Sequence, residues 1–278
     1  MTPPVLVTGA TGRTGGAVVD ALRGHAPIRA ASRGATPVEG SEPVRFDYAD
    51  PLTHAAALDG VERMFVLAPP GVPNGQVTAF LDAAVAAGVR RVVLQSVRGA
   101  EKSRILPHRR VEDAVRERPF AWIMLRPADY MQNLADVHRA AIGERNEIAV
   151  PAGTGRSPFV DVADVGAVGA LALLEGGHEG KGYALTGPHD LTFTEVAATL
   201  SDVLGRPIRY RSPSVPRFVW EQVSRYDRPL PMALVMSALY TTQRLGRAGG
   251  VTNEVRRLLG RPATPLRTFV ERERAAWE

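Results

Sequence analysis

Two hydrophobic periods alternate along the first two-thirds of this chain. Short apolar runs, several of them apolar on both faces, predict buried strands at Val5–Thr8, Ile28–Ser32, Val44–Phe46, Met64–Ala68, Arg91–Ser96 and Trp122–Leu125. Between them, apolar positions recur at helical spacing. One such stretch, Gln76–Ala87, is stopped by Gly88, and another, His108–Arg118, ends before Pro119. A helical pattern over Val162–Leu174 leads into one more strand, Tyr183–Leu185. Strands alternating with helices predict an α/β fold, a doubly wound parallel sheet with crossover helices on both faces.

The pattern changes after Thr186-Gly187-Pro188. Thr192-Phe193-Thr194-Glu195 reads as a capping box opening a helix that Gly205 closes. A short alternating strand over Arg206–Arg211 follows, then helical stretches near 215–225, 231–245 and 266–277. The expected organisation is a core over residues 1–186 with a smaller, mostly helical lobe over 187–278 packed on it. Such an arrangement leaves a ligand cleft at the carboxyl ends of the strands. Phe218, Trp220, Met232 and Met236 of the lobe either line that cleft or fill the lobe's own core.

Composition narrows the chemistry. The 278 residues are 45% hydrophobic and 23% charged, an ordinary globular balance. The absence of cysteine excludes a disulfide framework, thiolate catalysis and Cys-ligated metal. The six histidines show no tight metal spacing, and Asp161 and Asp164 fall at a helix start, where carboxylates suit the dipole. Met1-Thr2-Pro3-Pro4 carries no basic leader, and the longest mostly apolar stretch, Leu230–Tyr240, is short of the ~20 residues that a membrane span needs. A cytoplasmic protein is therefore the expectation.

The formal net charge of +5 is unevenly spread. Residues 206–278 hold 14 arginines against 6 acids, while residues 1–205 are slightly acidic, and Lys102 and Lys181 are the only lysines. The clustering suggests an arginine-lined site for an anionic or aromatic partner. No nucleic-acid-binding motif accompanies it.

The strongest motif is Val5-Leu6-Val7-Thr8-Gly9-Ala10-Thr11-Gly12-Arg13-Thr14-Gly15, a strand entering a glycine-rich turn that opens a helix. Gly9 permits the turn, Gly12 lets backbone approach a pyrophosphate, and Gly15 permits close helix packing. The helix N-terminus then offers amide donors and a positive dipole end to phosphate, with Thr11, Arg13 and Thr14 beside it. In this strand–turn–helix setting the motif predicts dinucleotide binding. The second strand ends Ala31-Ser32-Arg33 without the acid that grips a ribose 2′-hydroxyl. Arg33, with Arg13, is placed to hold a 2′-phosphate, so NADP(H) is expected over NAD(H).

The glycine turn, Phe65-Val66-Leu67-Ala68-Pro69-Pro70, Val92–Ser96, Leu125-Arg126-Pro127, Phe159–Val165, Leu185-Thr186-Gly187-Pro188 and Leu259-Gly260-Arg261-Pro262 follow one another in family order. Together they resemble the NmrA-like, atypical branch of the short-chain dehydrogenase/reductase superfamily. The resemblance covers essentially the whole chain. It implies an extended Rossmann fold with NADP(H) in the groove, Asp47 near the adenine, Ala68, Pro69 and Pro70 along the ribose–nicotinamide end, and Ser96 at the mouth of the fifth strand.

The superfamily's Tyr-x-x-x-Lys pair is absent, since neither lysine lies four places after a tyrosine. Reductases similar to this branch carry a lysine on the helix after the fifth strand, and quinone-oxidoreductase-like members carry a histidine. That position is His108 here, a residue able to supply or relay a proton as hydride reaches carbon. Its ordinary alternative is a surface pair with Glu112, one turn on. Tyr130 is a second candidate donor, Ser96 a candidate orienting hydroxyl, and Gln132 or Asn133 a candidate for a substrate oxygen. The resemblance implies an NADPH-dependent reductase of a small carbonyl, quinone or conjugated, aromatic substrate, with a place in secondary metabolism. The alternative is a catalytically silent NADP(H) sensor that binds a partner protein, as the family's namesake does. A transient use of the cofactor, as in sugar-nucleotide epimerases, is disfavoured by the missing Tyr–Lys pair. Either a monomer or a homodimer fits.

Overall fold

A computed structural model describes residues 2–69, 71–103 and 106–278. In chain order the elements are β1 Val5–Thr8, α1 Arg13–Leu22, β2 Ile28–Ser32, β3 Glu42–Arg45, α2 His54–Leu58, β4 Arg63–Leu67, α3 Asn74–Ala86, β5 Arg91–Gln95, α4 Pro107–Arg116 and β6 Ala121–Pro127. They continue as α5 Gln132–Ala135, α6 Arg139–Arg145, β7 Glu147–Ala149, β8 Arg156–Ser157, α7 Val162–Leu174, β9 Lys181–Leu185, β10 Leu191–Thr192, α8 Phe193–Leu204, β11 Arg209–Arg211, α9 Val215–Tyr226, α10 Leu230–Arg244, α11 Glu254–Leu259 and α12 Leu266–Arg272. The chain divides into two compact units, which interleave. The first takes residues 1–127, 162–185 and 254–261, and the second takes 128–161, 186–253 and 262–278.

The first unit is built on a seven-stranded sheet in the order β3-β2-β1-β4-β5-β6-β9. Every pairing in it is parallel, and β1 is matched on both sides, Val5 with Ile28 and with Arg63. The order reverses direction at β1, the switch point at which doubly wound sheets bind ligands. Val5, Leu6 and Val7 are fully buried, as a central strand covered on both faces requires. Among the expected strands Val44–Phe46 shifts most, while Met64–Ala68 moves by one residue to Arg63–Leu67. The observed β3 starts at Glu42, and Phe46 instead leaves the strand to pack on Tyr48 and Phe80. Helix α7 lies against α1 so closely that a Cβ at Gly166 would come within 2.5 Å of the Ala17 backbone.

The second unit has its own core around Phe159, Phe193, Leu200, Phe218 and Phe269. The expected capping box is present: Thr192 Oγ1 accepts from the Glu195 amide at 3.2 Å, and Glu195 Oε2 accepts from the Thr192 amide at 2.7 Å. The expected strand at 206–211 shortens to β11, which pairs in parallel with β7. Phe218 and Met236 are buried in this core, whereas Trp220 and Met232 are exposed. No helix of the described residues is long and apolar enough to cross a membrane.

Candidate nucleotide and proton-transfer site

The glycine turn sits at the carboxyl end of β1, in the first unit. Gly9 adopts φ 64°, a left-handed conformation, and a Cβ there would also press on Leu67 Cδ2 at 2.8 Å. The Gly12 amide donates to the Gly9 carbonyl at 2.9 Å and closes the turn. A Cβ at Gly15 would run into the Gly9 carbonyl, so this glycine fits α1 against the turn's own backbone. Gly12 is the N-cap of α1 and brings no side-chain cap, and the first turn contains no acid. Such a helix start keeps its amide donors and positive dipole end for an anion. Thr11, Gly12 and Arg13 are exposed around it, while Thr14 is buried.

Below the turn, the Thr8 hydroxyl links neighbouring strands. It donates to the Phe65 carbonyl at 3.2 Å and accepts from the Leu67 amide at 2.9 Å. Tyr48, which sequence reasoning did not single out, donates to the Leu67 carbonyl at 2.8 Å, and burial raises its pKa. These bonds fix the ends of β1 and β4 that flank the site.

Arg33 follows β2 directly, is exposed, and has neither an ion pair nor a hydrogen bond among the described residues. Asp47 lies after β3 and is half-buried. Its Oδ1 accepts from the Ala49 amide at 2.9 Å, and its carbonyl meets His54 Nε2 at 3.1 Å. Ala68 and Pro69 follow β4 and are half-buried, and Pro70 lies outside the described residues.

Ser96, just past β5, is 1% exposed. Its amide donates to the Leu125 carbonyl at 2.7 Å. Its hydroxyl supports the Glu112 carboxylate, though it falls short of a full hydrogen bond by geometry. Glu112 has no solvent exposure and anchors α4 to β6. Arg126 Nε donates to Oε1 at 2.8 Å and Nη2 to Oε2 at 2.7 Å, a bidentate pair, while Arg116 Nη2 donates to Oε2 at 2.6 Å. Burial pushes the Glu112 carboxyl up. The hydrogen bonds from Arg126 and Arg116, with the nearby Ser96 hydroxyl, outweigh it and hold the pKa at about 2. Gly182 of β9 leaves room for this arrangement, since a Cβ there would stand 2.5 Å from Arg126 Nη1.

His108 is the second residue of α4, half-buried behind Pro107. The pair with Glu112 that helix spacing allows does not form, because two arginines occupy that carboxylate. Burial lowers the His108 pKa and the Glu112 charge only partly opposes it. No hydrogen bond holds its ring among the described residues.

The remaining expected residues belong to the second unit. Tyr130 is half-buried and forms an isolated parallel bridge with Val160. Gln132 Nε2 donates to Asp161 Oδ1 at 2.7 Å, so its amide is engaged in structure, and Asn133 is exposed. Asp161 also accepts from Arg272 at 2.9 Å, while in the first unit Asp164 accepts from Arg261 at 2.7 Å. Both carboxylates, read from sequence as suited to a helix dipole, are thus ion-paired to arginines far along the chain. Much of the C-terminal arginine excess is consumed in this way: Arg211 bridges Glu221 and Glu147, Arg206 donates to the Ile142 and Trp277 carbonyls, and Arg267 pairs with Asp202.

Comparison with known proteins gives the family. The model of the NmrA-like family matches residues 1–258. The chain belongs to the NmrA-like family. It is 36% identical to the (4-alkanoyl-5-oxo-2,5-dihydrofuran-3-yl)methyl phosphate reductase of Streptomyces griseus, over 95% of this chain and 96% of that protein. It is 32% identical to the NAD(P)H azoreductase of Xenophilus azovorans, over 98% and 99%. Among solved structures, the Citrobacter sp. triphenylmethane reductase complexed with NADP(H) superposes with a TM-score of 0.85 at 29% identity, over 97% of this chain and 99% of that one. This NmrA-like chain therefore has the Rossmann-like α/β architecture of NADP(H)-binding reductases.

Proposed function

We propose that this NmrA-like protein is an NADPH-dependent reductase that delivers hydride to a small quinone, carbonyl or conjugated aromatic acceptor. The observation that carries the reading is the uncapped start of α1, set beyond a turn where Gly15 leaves space only for hydrogen, with an unpaired, exposed Arg33 in place of the acid on β2. Gly9, Thr11, Gly12, Thr14 and Gly15 would hold the pyrophosphate, Arg33 with Arg13 the 2′-phosphate, Asp47 the adenine side, and Ala68, Pro69 and Pro70 the ribose–nicotinamide end. The relatives' reactions support the enzyme class and leave the acceptor to be found. When bound, the nicotinamide supplies two electrons as hydride.

His108 serves as the proton route to the acceptor's oxygen. Its half-buried ring makes no hydrogen bond among the described residues, and because burial lowers its pKa the donating imidazolium is the minority form at pH 7 and gains as pH falls. Ser96 and Glu112 serve as supports of α4, and Tyr130 is the second donor to test.

The deciding measurement is NADPH oxidation against a panel of quinones, enones, azo dyes and aldehydes, paired with nucleotide titration. Turnover of at least one acceptor is expected, and Arg33→Asp is expected to cost about tenfold or more in NADPH affinity while sparing NADH. An unchanged cofactor preference in Arg33→Asp would remove the assignment of Arg33. Tight NADP(H) binding without turnover of any acceptor would replace the enzyme by a nucleotide sensor. For His108, kcat/KM is expected to fall as pH rises through a value below 6.5, and this limb should vanish in His108→Asn. The same limb in both proteins would remove His108 from the proton route.

A further inference from the structure

Gln95 closes β5, and no role above uses it. Side chains alternate across a strand, so Gln95 and Ser96 point to opposite faces of the sheet. Ser96 shares its face with Leu94, on the side that packs against Val111 and Val115 of α4, and its hydroxyl lies by Glu112. Gln95 points the other way. In the parallel register it stands level with Leu67 of β4 and Leu125 of β6. Leu67 is the residue that a Cβ at Gly9 would press on, and a Cβ at Gly169 of α7 would meet Leu125 and Val18 of α1. This is therefore the face of the sheet on which α1 starts, and strand spacing puts Gln95 about 10 Å across from β1. Gln95 is half-buried, and its side-chain amide makes no hydrogen bond among the described residues. Its Oε1 is shut off from solvent, while its neighbours in register are leucines. An amide oxygen so placed bears the desolvation penalty of an unpaired acceptor, which calls for a partner.

We propose that Gln95 anchors the nicotinamide of the bound cofactor through its carboxamide, an inference that rests on the nucleotide reading above. A primary amide offers one carbonyl acceptor and two N–H donors, and the nicotinamide carboxamide offers the same set. Side by side the two satisfy each other. Gln95 Oε1 accepts a carboxamide N–H, and Gln95 Nε2 donates to the carboxamide oxygen. No hydrogen bond holds the Gln95 side chain where it is, so a change of rotamer suffices to turn both ends to the crevice. With Arg33 marking the adenosine half beside β2, a pyrophosphate at the start of α1 leaves the nicotinamide half to the carboxyl ends of β4 and β5. Gln95 is the polar side chain that the register brings there, between two leucines. Ser96, the hydroxyl expected in this role, is turned to α4 instead. An anchor on the carboxamide keeps the ring from turning about its glycosidic bond, so that a single face is presented to the acceptor.

The test is nucleotide binding by the full-length protein, followed by calorimetry with three probes. These are NADP+, its 3-acetylpyridine analogue, which has a methyl ketone in place of the carboxamide, and 2′-phospho-ADP-ribose, which lacks the nicotinamide. Gln95→Leu is expected to weaken NADP+ binding about tenfold and to leave 2′-phospho-ADP-ribose unchanged, the latter also reporting that the variant is folded. The wild type is expected to prefer NADP+ over the analogue about tenfold, and Gln95→Leu to bind the two alike. Gln95→Met, unbranched, repeats the comparison should leucine disturb the sheet. Equal losses for NADP+ and 2′-phospho-ADP-ribose in both variants overturn the inference, because Gln95 then shapes the turn rather than meeting the nicotinamide. A preference for NADP+ over the analogue that survives in both variants overturns it as well. A wild type that binds none of the three probes removes the nucleotide reading and this inference with it. NADP+ and 2′-phospho-ADP-ribose binding that is indifferent to both substitutions removes only the role given to Gln95.

Discussion

Helices α7 and α10 are both long, apolar and nearly free of charge, yet the two units treat them in opposite ways. In the first unit, α7 is buried over most of its length, and α1 approaches it through Gly166. In the second unit, α10 buries one face and leaves the other to solvent. The difference teaches that apolar composition states a demand for cover without saying what meets it. Glycine placement reveals the cover for α7, because Gly166 and Gly169 are useful only against a close neighbour. The outer face of α10 exposes Leu230, Met232, Leu234, Val235 and Leu239, and no described residue of the chain seals it as α1 seals α7.

The contrast can be broken at its strongest point first. Gly166→Leu drives a side chain into the Ala17 backbone and should cost about 3 kcal/mol or more, measured by chemical denaturation or seen as loss of folded protein. A stable Gly166→Leu protein would mean that α7 is not sealed as described. Glu112→Ala, also in the first unit, strips Arg126 of its bidentate partner at a site with no exposure. About 3 kcal/mol should be lost, since breaking a buried pair leaves Arg126 only the looser contact with Glu101 at 3.5 Å.

The units' buried titratable groups sharpen the comparison further through pH. His138 of the second unit is buried against Tyr240, whose hydroxyl lies 2.7 Å from Nε2. Burial, with Arg228 adding to it, lowers the His138 pKa to about 3. Below pH ~6.5 the unfolded chain therefore binds a proton that the folded chain refuses, so stability falls as pH drops through that window. About 2 kcal/mol should disappear between pH 6.5 and 4.5. His138→Gln should remove the larger part of that slope, with His108 and His178, also lowered by burial, supplying the remainder. Glu112 acts later. Its contribution is whole above the ordinary glutamate pKa of about 4.3 and is lost as pH falls from there toward 2. A stability curve flat down to pH 4.5 would contradict the neutral burial of His138. The smallest effect belongs to the open face: Val235→Glu should change the stability of the monomer by no more than about 0.5 kcal/mol.

Much of the first unit was legible in sequence, because its strands are buried on both faces and its helices end on glycine or before proline. The glycine turn was legible for a different reason, as backbone sterics dictate residue type there whatever the rest of the fold does. The clamp at Glu112 was not. Its members, Ser96, Glu112, Arg116 and Arg126, come from β5, α4 and β6, and nothing local distinguishes Glu112 from any helix-surface glutamate. Helix spacing alone pointed to His108 as its neighbour, and register between parallel strands delivered Arg126 instead. Residues 128–161, where no element was expected, form short elements whose Met131, Leu134, Ile142 and Ile148 pack with Phe193 and Leu200, which follow much later in the chain.

The sequence by itself therefore determined the parallel α/β architecture, the phosphate-facing turn and the missing acid on β2, each governed by local sterics or by periodicity. Tertiary structure decided which carboxylates are spent on arginines, which histidine is buried neutral and which is left half-open, and which apolar helix is covered. Those outcomes depend on distances between segments that are remote in sequence, and burial and charge pairing are set only when such segments meet.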